Sequence, residues 1–385
     1  MGDLVWVGTS EGSQFVVEEV TDELDIPWGM AFLSSDSMLV TEREGVVKLV
    51  NINQGTSKKI ELPTDVFVAR ECGLLDVAVR DGYEADGWIY FTYSKLVDQY
   101  GYVALAKARL KDQVLIDWVD ILITESERSN SGLHCGSRIA FDNNGNILFS
   151  VGDRGNRENA QNLKTHTGAI LRVDNEGEPV KTNPFYLSEQ VLPEIYSFGH
   201  RNPQGLAYDK NLNRIWSSEH GPRGGDELNL IFAGNNYGWP IITYGKEYHG
   251  PIIGEGTEKI GMTGPIKIIP PTFAPGSLLF YDGNKFESWE GNLFVGGLAG
   301  QKVMRYVLDS TGRILYEETL LEQIHERIRN IKQSPDGLIY ISTDLGRILK
   351  IRPFDDDEYE KFSIFKHLDS PGFLVSMEFE IFYSY

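Results

Sequence analysis

Only two cysteines, Cys72 and Cys135, occur in the 385 residues, so no disulfide framework builds this fold, although one bridge between them is compatible with the count. No apolar run approaches the length of a membrane-spanning helix, and no basic-then-apolar leader opens the chain. Positive charge is in short supply: 36 Lys and Arg stand against 56 Asp and Glu, a net charge of −20. A negative field of that size excludes a nucleic-acid or anionic-membrane partner and suits a hard cation such as calcium. Helical periodicity is scarce too. What the chain has in quantity is 40 glycines and a full set of aromatics, with 7 Trp, 18 Tyr and 19 Phe, the composition of many short strands joined by turns.

Those strands recur. Six segments share a small residue, an apolar run, then Ser, Thr or Gly: SMLVTEREG from Ser37, GWIYFTYSK from Gly87, GNILFSVGD from Gly145, NRIWSSEHG from Asn213, GNLFVGGLAG from Gly291 and GLIYISTDLG from Gly337. Each is preceded across a polar turn by another strand-like run (PWGMAFL, GLLDVAV, GSRIAFD, PQGLAYD, PGSLLFYD, RIRNIKQ) and followed by a third. Turns such as DNNG and SPDG carry hairpin chemistry. Six sheets of three or four antiparallel strands pack radially as a six-bladed β-propeller, an all-β arrangement that hides strand edges. Two β-sandwiches are the competing architecture. The propeller reading makes residues 1–354 one domain, closed by an N-terminal strand within 4–20 that pairs with the last blade. It leaves 355–385, with the run DDDEYE, as a peripheral tail.

In an antiparallel hairpin the start of the first strand and the end of the second share one end of the sheet. At those positions lie Glu71 and Cys72, His134 and Cys135, Arg201 and Asn202, Arg327 and Arg329, Glu42 and Arg43, Asp153 and Arg154, and Glu219 to Pro222. The unusual polar residues therefore gather at one mouth of the central channel, where a rigid scaffold presents binding groups. Cys72 and Cys135 share that mouth, which places a bridge between adjacent blades. Arg327 and Arg329, two apart on one strand, share a face; without a ligand they repel unless a neighbouring acid offsets them. Asp153 and Arg154 read as neighbours that pair with each other or with Arg157, in a stretch, DRGNREN, that reads as a solvated loop.

The blocks HCGSRIAFD, SVGDRG, GHRNPQGLAYD, SEHGPRGGDELN, NNYGWP and ERIRNI, in that order, resemble the soluble aldose sugar dehydrogenase and soluble glucose dehydrogenase family over roughly residues 25 to 352. Members are six-bladed propellers that use pyrroloquinoline quinone (PQQ) and calcium. The resemblance implies that His134 is the general base taking the proton of the sugar C1 hydroxyl while hydride passes to the quinone. It makes the Gly221 and Pro222 carbonyls ligands of the calcium that touches the quinone, and Glu227 and the Tyr237 carbonyl ligands of a further, structural calcium. It gives Glu71, Arg201, Asn202, Tyr248, Arg327 and Arg329 to the cofactor, guanidinium groups being fitting partners for its three carboxylates. By the same analogy the substrate is a small aldose and the location periplasmic or secreted, the electron acceptor is left open, and the chain is a monomer or a dimer.

The sequence departs from the family at three places. Glu71 stands where members carry Gln, Ala299 where they carry Lys with Lys302 three residues on, and Pro270 where soluble glucose dehydrogenases place an aromatic. Two other functions stay open. A calcium-dependent lactonase-type hydrolase needs several carboxylates on one ion, with Glu42, Glu71, Asp153 and Glu219 as the donors. A non-catalytic binding propeller needs none of this chemistry.

Overall fold

The third position of the repeat is where the architecture is assembled. In the computed structural model, which describes residues 2–11, 13–126, 129–249 and 252–355, the hydroxyls of Thr41, Thr92, Ser150 and Ser342 lie on the second strands of their sheets. Each donates to a backbone carbonyl on the first strand of the next sheet or in the turn just before it: Leu75, Ser137 (2.6 Å), Pro203 (2.8 Å) and Pro27 (2.8 Å). Three of them also accept an inward N–H of their own sheet, from Gly29, Asp76 and Arg138. A short hydroxyl side chain thus satisfies two buried backbone groups at once and fastens neighbouring sheets.

Six sheets result, as expected, and the two-sandwich alternative is excluded. Blade 1 runs Pro27–Ser34, Ser37–Glu42, Val46–Asn51 and Thr56–Ile60; blade 2 runs Leu74–Val79, Trp88–Val97, Tyr100–Lys111 and Val114–Ile123. Blade 3 runs Ile139–Phe141, Ile147–Val151, Ala169–Val173 and Ile195–Phe198; blade 4 runs Pro203–Asp209, Arg214–Glu219, Asp226–Ile231 and Lys267–Ile269. Blade 5 runs Pro275–Tyr281, Asn292–Gly297, Val303–Leu308 and Ile314–Leu320. Blade 6 has Ile328–Gln333, Ile339–Thr343 and Ile348–Pro353, completed by Ser13–Thr21 and then Leu4–Ser10. Ring closure by an N-terminal strand is borne out, with Phe15 opposite Pro353, and a second N-terminal strand adds itself outside the first. The tail predicted from Asp355 lies, from 356 on, outside the described residues.

Apolar side chains fill the wedges between blades. Trp216, Leu293 and Tyr306 pack between blades 4 and 5, Phe15, Trp289 and Ile341 between 5 and 6, and Met30, Val40 and Tyr340 between 6 and 1.

At the axis one residue touches every blade. Arg138, immediately before the blade 3 inner strand, is 2% exposed. Its Nε donates to Gln204 O (3.0 Å), Nη1 to Trp28 O (3.3 Å) and Asp76 Oδ1 (3.1 Å), and Nη2 to Gly276 O (2.6 Å) and Arg329 O (3.2 Å). Its plane lies 4.0 Å from the Trp28 ring centroid. Burial pushes the guanidinium below its ordinary value, and Asp76 pulls the other way. Arg138→Ala strands Asp76 and four carbonyls, so we expect a loss of about 3–5 kcal/mol, the range for breaking a buried ion pair, read as a lower denaturant midpoint. Arg138→Lys recovers only part of it, because an ammonium cannot reach five directions.

Candidate functional site

His134 sits in the turn that feeds the blade 3 inner strand, and its backbone is left-handed (φ +48°). The second strand of the same blade returns to the same mouth and delivers Gly152, Asp153 and Arg154 beside it. Gly152 is required there, since a Cβ at that position would come 2.4 Å from the His134 carbonyl oxygen. His134 Nδ1 lies 2.6 Å from Asp153 Oδ1, which leaves Nε2 without a protein partner among the described residues. Asp153 also accepts the Gly155 N–H (2.8 Å) and, through Oδ2, the Trp239 indole N–H (2.8 Å). Burial opposes ionisation of Asp153, but His134, the Gly155 N–H and Arg201 outweigh it and hold the carboxyl below the usual carboxylate range. The expectation of a mostly solvated DRGNREN loop holds for Gly155, Asn156 and Glu158, which are exposed, and is corrected at its first two residues. Asp153 and Arg154 are both buried and neither pairs with Arg157, which binds Glu247 instead (2.7 Å).

Glu71 carries its charge into a set of donors. Its Oε2 accepts the His134 N–H (3.3 Å), Asn202 Nδ2 (3.0 Å) and Gln204 Nε2 (3.4 Å). Asn202 in turn accepts the Gly136 N–H (3.2 Å). Gln204 Oε1 receives Arg329 Nη1 (3.4 Å), and the other guanidinium edge of Arg329 clamps Asp344 at 2.8 and 3.0 Å. Arg327 donates to the same carboxylate (2.8 Å). Asp344 is thus the neighbouring acid that the Arg327 and Arg329 pair needed. Burial works against its ionisation, yet Arg329 and Arg327 keep it low.

The Arg201 guanidinium has no carboxylate partner among the described residues, while the Arg201 backbone N–H donates to Glu219 Oε2 (2.8 Å). Its Nη1 donates to the carbonyls of His220 (3.1 Å) and Gly221 (2.8 Å), and its guanidinium lies 5.4 Å from the Trp239 ring centroid. His220 donates from Nε2 to Pro275 O (3.0 Å). Burial first, then Arg201 and Arg329, push its imidazole down to about 3, so it stays neutral.

The segment around Gly221 and Pro222 is crowded for a reason. A Cβ on Gly221 would lie 2.3 Å from the carbonyl oxygens of Gly224 and Gly225, both left-handed at φ +77° and +72°. Asp226 fastens the turn by accepting the Gly221 N–H (2.9 Å) and the Ala274 N–H (2.7 Å). Glu219 and Glu227 stand directly opposite each other on paired strands, a disfavoured juxtaposition of like charges. Burial, then Glu219, pushes Glu227 up to about 8. Asn229 bridges the two carboxylates with its amide N–H groups at 3.0 and 3.2 Å, while its Oδ1 is buried without a partner. Tyr237 lies close by, stacked on His200 at 4.7 Å.

Other predicted residues make no side-chain contact with this cluster among the described residues. Tyr248 is 60% exposed, Ala299 and Pro270 are on the surface, and Lys302 pairs with Glu322 (3.2 Å). Glu42, Glu71, Asp153 and Glu219 each serve separate donors, and no group of three metal-binding side chains exists among the described residues. A Ser197–His200–Glu219 relay (2.9 and 3.1 Å) has a hydrolase's order, but Ser197 is 0% exposed and meets no substrate. The other channel mouth opens into a cavity of about 810 Å³ that is bordered by hairpin turns and Lys332 and contains none of the predicted residues.

The bridge between Cys72 and Cys135 is present, with Cα atoms 5.7 Å apart, and it joins blades 2 and 3. Four residues that sequence reasoning missed, or placed in the wrong role, complete the cluster: Asp153 as the partner of His134, Trp239, Gln204 and Asp344. Asp344 had a signal, since it lies at the mouth end of its second strand, as Glu42, Asp153 and Glu219 do within two residues of theirs.

The sequence profile of the Glucose / Sorbosone dehydrogenase family matches residues 24–350. The chain is 34% identical over 346 residues to the aldose sugar dehydrogenase YliI of Escherichia coli, covering 88% of this chain and 92% of that protein. The crystal structure of the soluble aldose sugar dehydrogenase from Escherichia coli in its apo form superposes with a TM-score of 0.84 and 33% identity, covering 88% of this chain and all of the other. The PQQ-bound form of aldose sugar dehydrogenase from Streptomyces coelicolor superposes with a TM-score of 0.72 and 26% identity, over 88% and 98% of the two chains. With its six blades and its His134–Asp153 mouth, this chain belongs to the glucose/sorbosone dehydrogenase family and is an oxidoreductase of that family.

Proposed function

We propose that this protein oxidises aldoses at C1 to lactones, with PQQ as the hydride acceptor and calcium as its electrophilic partner. The observation that carries the reading is a His134–Asp153 pair with a vacant Nε2 beside three arginines, in a chain whose net charge is −20. The residues fit the cofactor. The Arg201 guanidinium lacks an acid partner among the described residues, and Arg327 and Arg329 share one carboxylate between them, so the mouth has guanidinium groups to offer a tricarboxylate. They also fit calcium, since Glu219 and Glu227 face each other with only an amide between them and the orphaned Asn229 Oδ1 beside them.

When bound, PQQ supplies an electrophilic carbon for hydride and calcium polarises the adjacent carbonyl. The rest falls to the protein. His134 Nε2 takes the C1 hydroxyl proton. Asp153 fixes the tautomer through Nδ1 and stabilises the imidazolium that forms, and the Trp239 N–H keeps Asp153 aimed. Arg201, Arg327, Arg329 and Asn202 would hold the cofactor, with Glu71 orienting Asn202, and Tyr248 would lie over the site. The Gly221 and Pro222 carbonyls would hold the catalytic calcium, and Glu227 with the Tyr237 carbonyl the structural one. The disulfide agrees with an extracytoplasmic location, where such bonds persist. No helix among the described residues is long and apolar enough to cross a membrane.

Purified protein supplied with PQQ and calcium should reduce a redox dye on addition of glucose or another aldose. His134→Ala should lower kcat by roughly 10²–10⁴-fold. Reduction that proceeds equally without PQQ, or that survives in His134→Ala, would overturn the assignment.

Glu227 gives a second test that needs no turnover. Its folded value of about 8 exceeds the ordinary 4.5, so the native state retains a proton that the unfolded chain releases, and the resulting stability is lost as pH rises from about 4.5 to about 8. In chelator-treated protein, Glu227→Gln should therefore match the wild type in Tm near pH 4.5 and exceed it at pH 8. Added calcium should reverse that order at pH 8, because only the carboxylate gains a ligand.

A further inference from the structure

The His134 side chain is aimed by Asp153, but a separate set of contacts fixes its backbone. Left-handed geometry is disfavoured for non-glycine residues, yet His134 (φ +48°), Ser137 (φ +76°) and Arg154 (φ +59°) all adopt it at the mouth of blade 3. Such a turn persists only where its surroundings over-determine it.

Two groups do so here. On the C-terminal side of His134, Cys135 is bonded to Cys72, the residue after Glu71, whose carboxylate accepts the His134 N–H. On the N-terminal side, Arg154 Nη1 donates to Leu133 O (3.0 Å). The same nitrogen meets both sulfurs of the bridge, Cys72 Sγ and Cys135 Sγ, while Nη2 donates to Gly101 O (3.1 Å) on blade 2. Among the described residues this guanidinium is buried without an ion pair, and its Nε has no partner. Burial pushes it down to about 10 against the pull of Glu71 and Asp153. Burying an unpaired guanidinium is costly, so its placement calls for a compensating role. Every donor it uses goes to the disulfide or to a carbonyl flanking the mouth.

We propose that the Cys72–Cys135 disulfide and the Arg154 guanidinium form a clamp that orients His134, so that all three are positioning residues for the proton transfer assigned above. The kinetic half of this inference rests on the dehydrogenase reading; the geometric half does not. Asp153 and Arg154 are adjacent, so one short segment holds the ring with one residue and the backbone with the next. Loosening the clamp turns the imidazole away from Asp153 while leaving the arginines of the cofactor mouth in place.

Two variants test it: C72A/C135A, which removes the sulfurs, and Arg154→Lys, which keeps the charge and the disulfide but loses the fork. In protein without PQQ or sugar, acylation of His134 by diethyl pyrocarbonate at neutral pH, quantified on its peptide by mass spectrometry, should accelerate several-fold in both. Circular dichroism should show the propeller intact. In reconstituted enzyme, kcat should fall about ten- to a hundred-fold with KM nearly unchanged, as expected for a misplaced base. A folded C72A/C135A protein with wild-type acylation rate and wild-type kcat would overturn the clamp. Should that variant fail to fold, the same two readouts on Arg154→Lys decide. An absence of PQQ-dependent activity in the wild type would sink the dehydrogenase reading and leave the acylation result to judge the clamp alone.

Discussion

Arginine offers five N–H donors in a fixed plane, and Arg138 gives one to each of the other five blades of the ring. No other side chain could do this from one position. The guanidinium acts as an axle pin, neutralised by Asp76 and backed by the Trp28 ring. Four of its five acceptors are backbone carbonyls of inner strands, so the pin fixes the height of those strands relative to one another. Functional side chains are held from the same backbone. Gln204 and Arg329 give their carbonyls to Arg138 and turn their side chains into the mouth, where they bond to each other.

Above that pin, charge is arranged against the trend of the whole molecule. A chain at −20 would ordinarily repel an anionic ligand, yet the mouth gathers Arg201, Arg327 and Arg329. The acids that accompany them are occupied locally. Asp344 takes two arginines, Glu71 takes three donors, and Asp153 takes the histidine and the indole. Local hydrogen bonds therefore decide the sign of the mouth, because inside a low-dielectric pocket short-range partners outweigh distant surface charge. The Glu219 and Glu227 pair on blade 4 has the opposite character, two carboxylates facing each other across one amide.

The blades were legible because a propeller repeats its punctuation. Turn chemistry such as DNNG and SPDG marked hairpins, and in blades 1, 2, 3 and 6 a Ser or Thr of the second strand proved to be the position that fastens one blade to the next. The converging mouth followed from strand direction alone, and so did the neighbourhood of Cys72 and Cys135. Pairing inside the mouth was harder to read. His134 and Asp153 are 19 residues apart, and only the antiparallel return of the blade 3 hairpin brings Asp153 beneath the ring. Sequence proximity pointed to the wrong partner, Arg157, because Arg157 lies on a short helical turn that faces the blade 4 loop. Arg138 was invisible for a related reason. Its five acceptors come from segments scattered between residues 28 and 329, and four of them are carbonyls, which carry no side-chain signature.

Phe15 pairs with Pro353, so the last blade is assembled from the two extremes of the described chain. This makes the closure the most non-local strand pairing among the described residues, and its loop-closure entropy must be met before the wedge between blades 5 and 6 can fill with Phe15 and Trp289. Blades 1 to 5 can form in order as short-range hairpins, but the circle is incomplete until the first strands find the last. A topology of that kind folds slowly, because its decisive contact comes last and spans the longest stretch of chain. Once made, the closure also works in reverse. No blade can leave the ring without either breaking that pairing or tearing an inner strand from Arg138, so the native state is guarded by how hard it is to open as well as by how favourable it is to form.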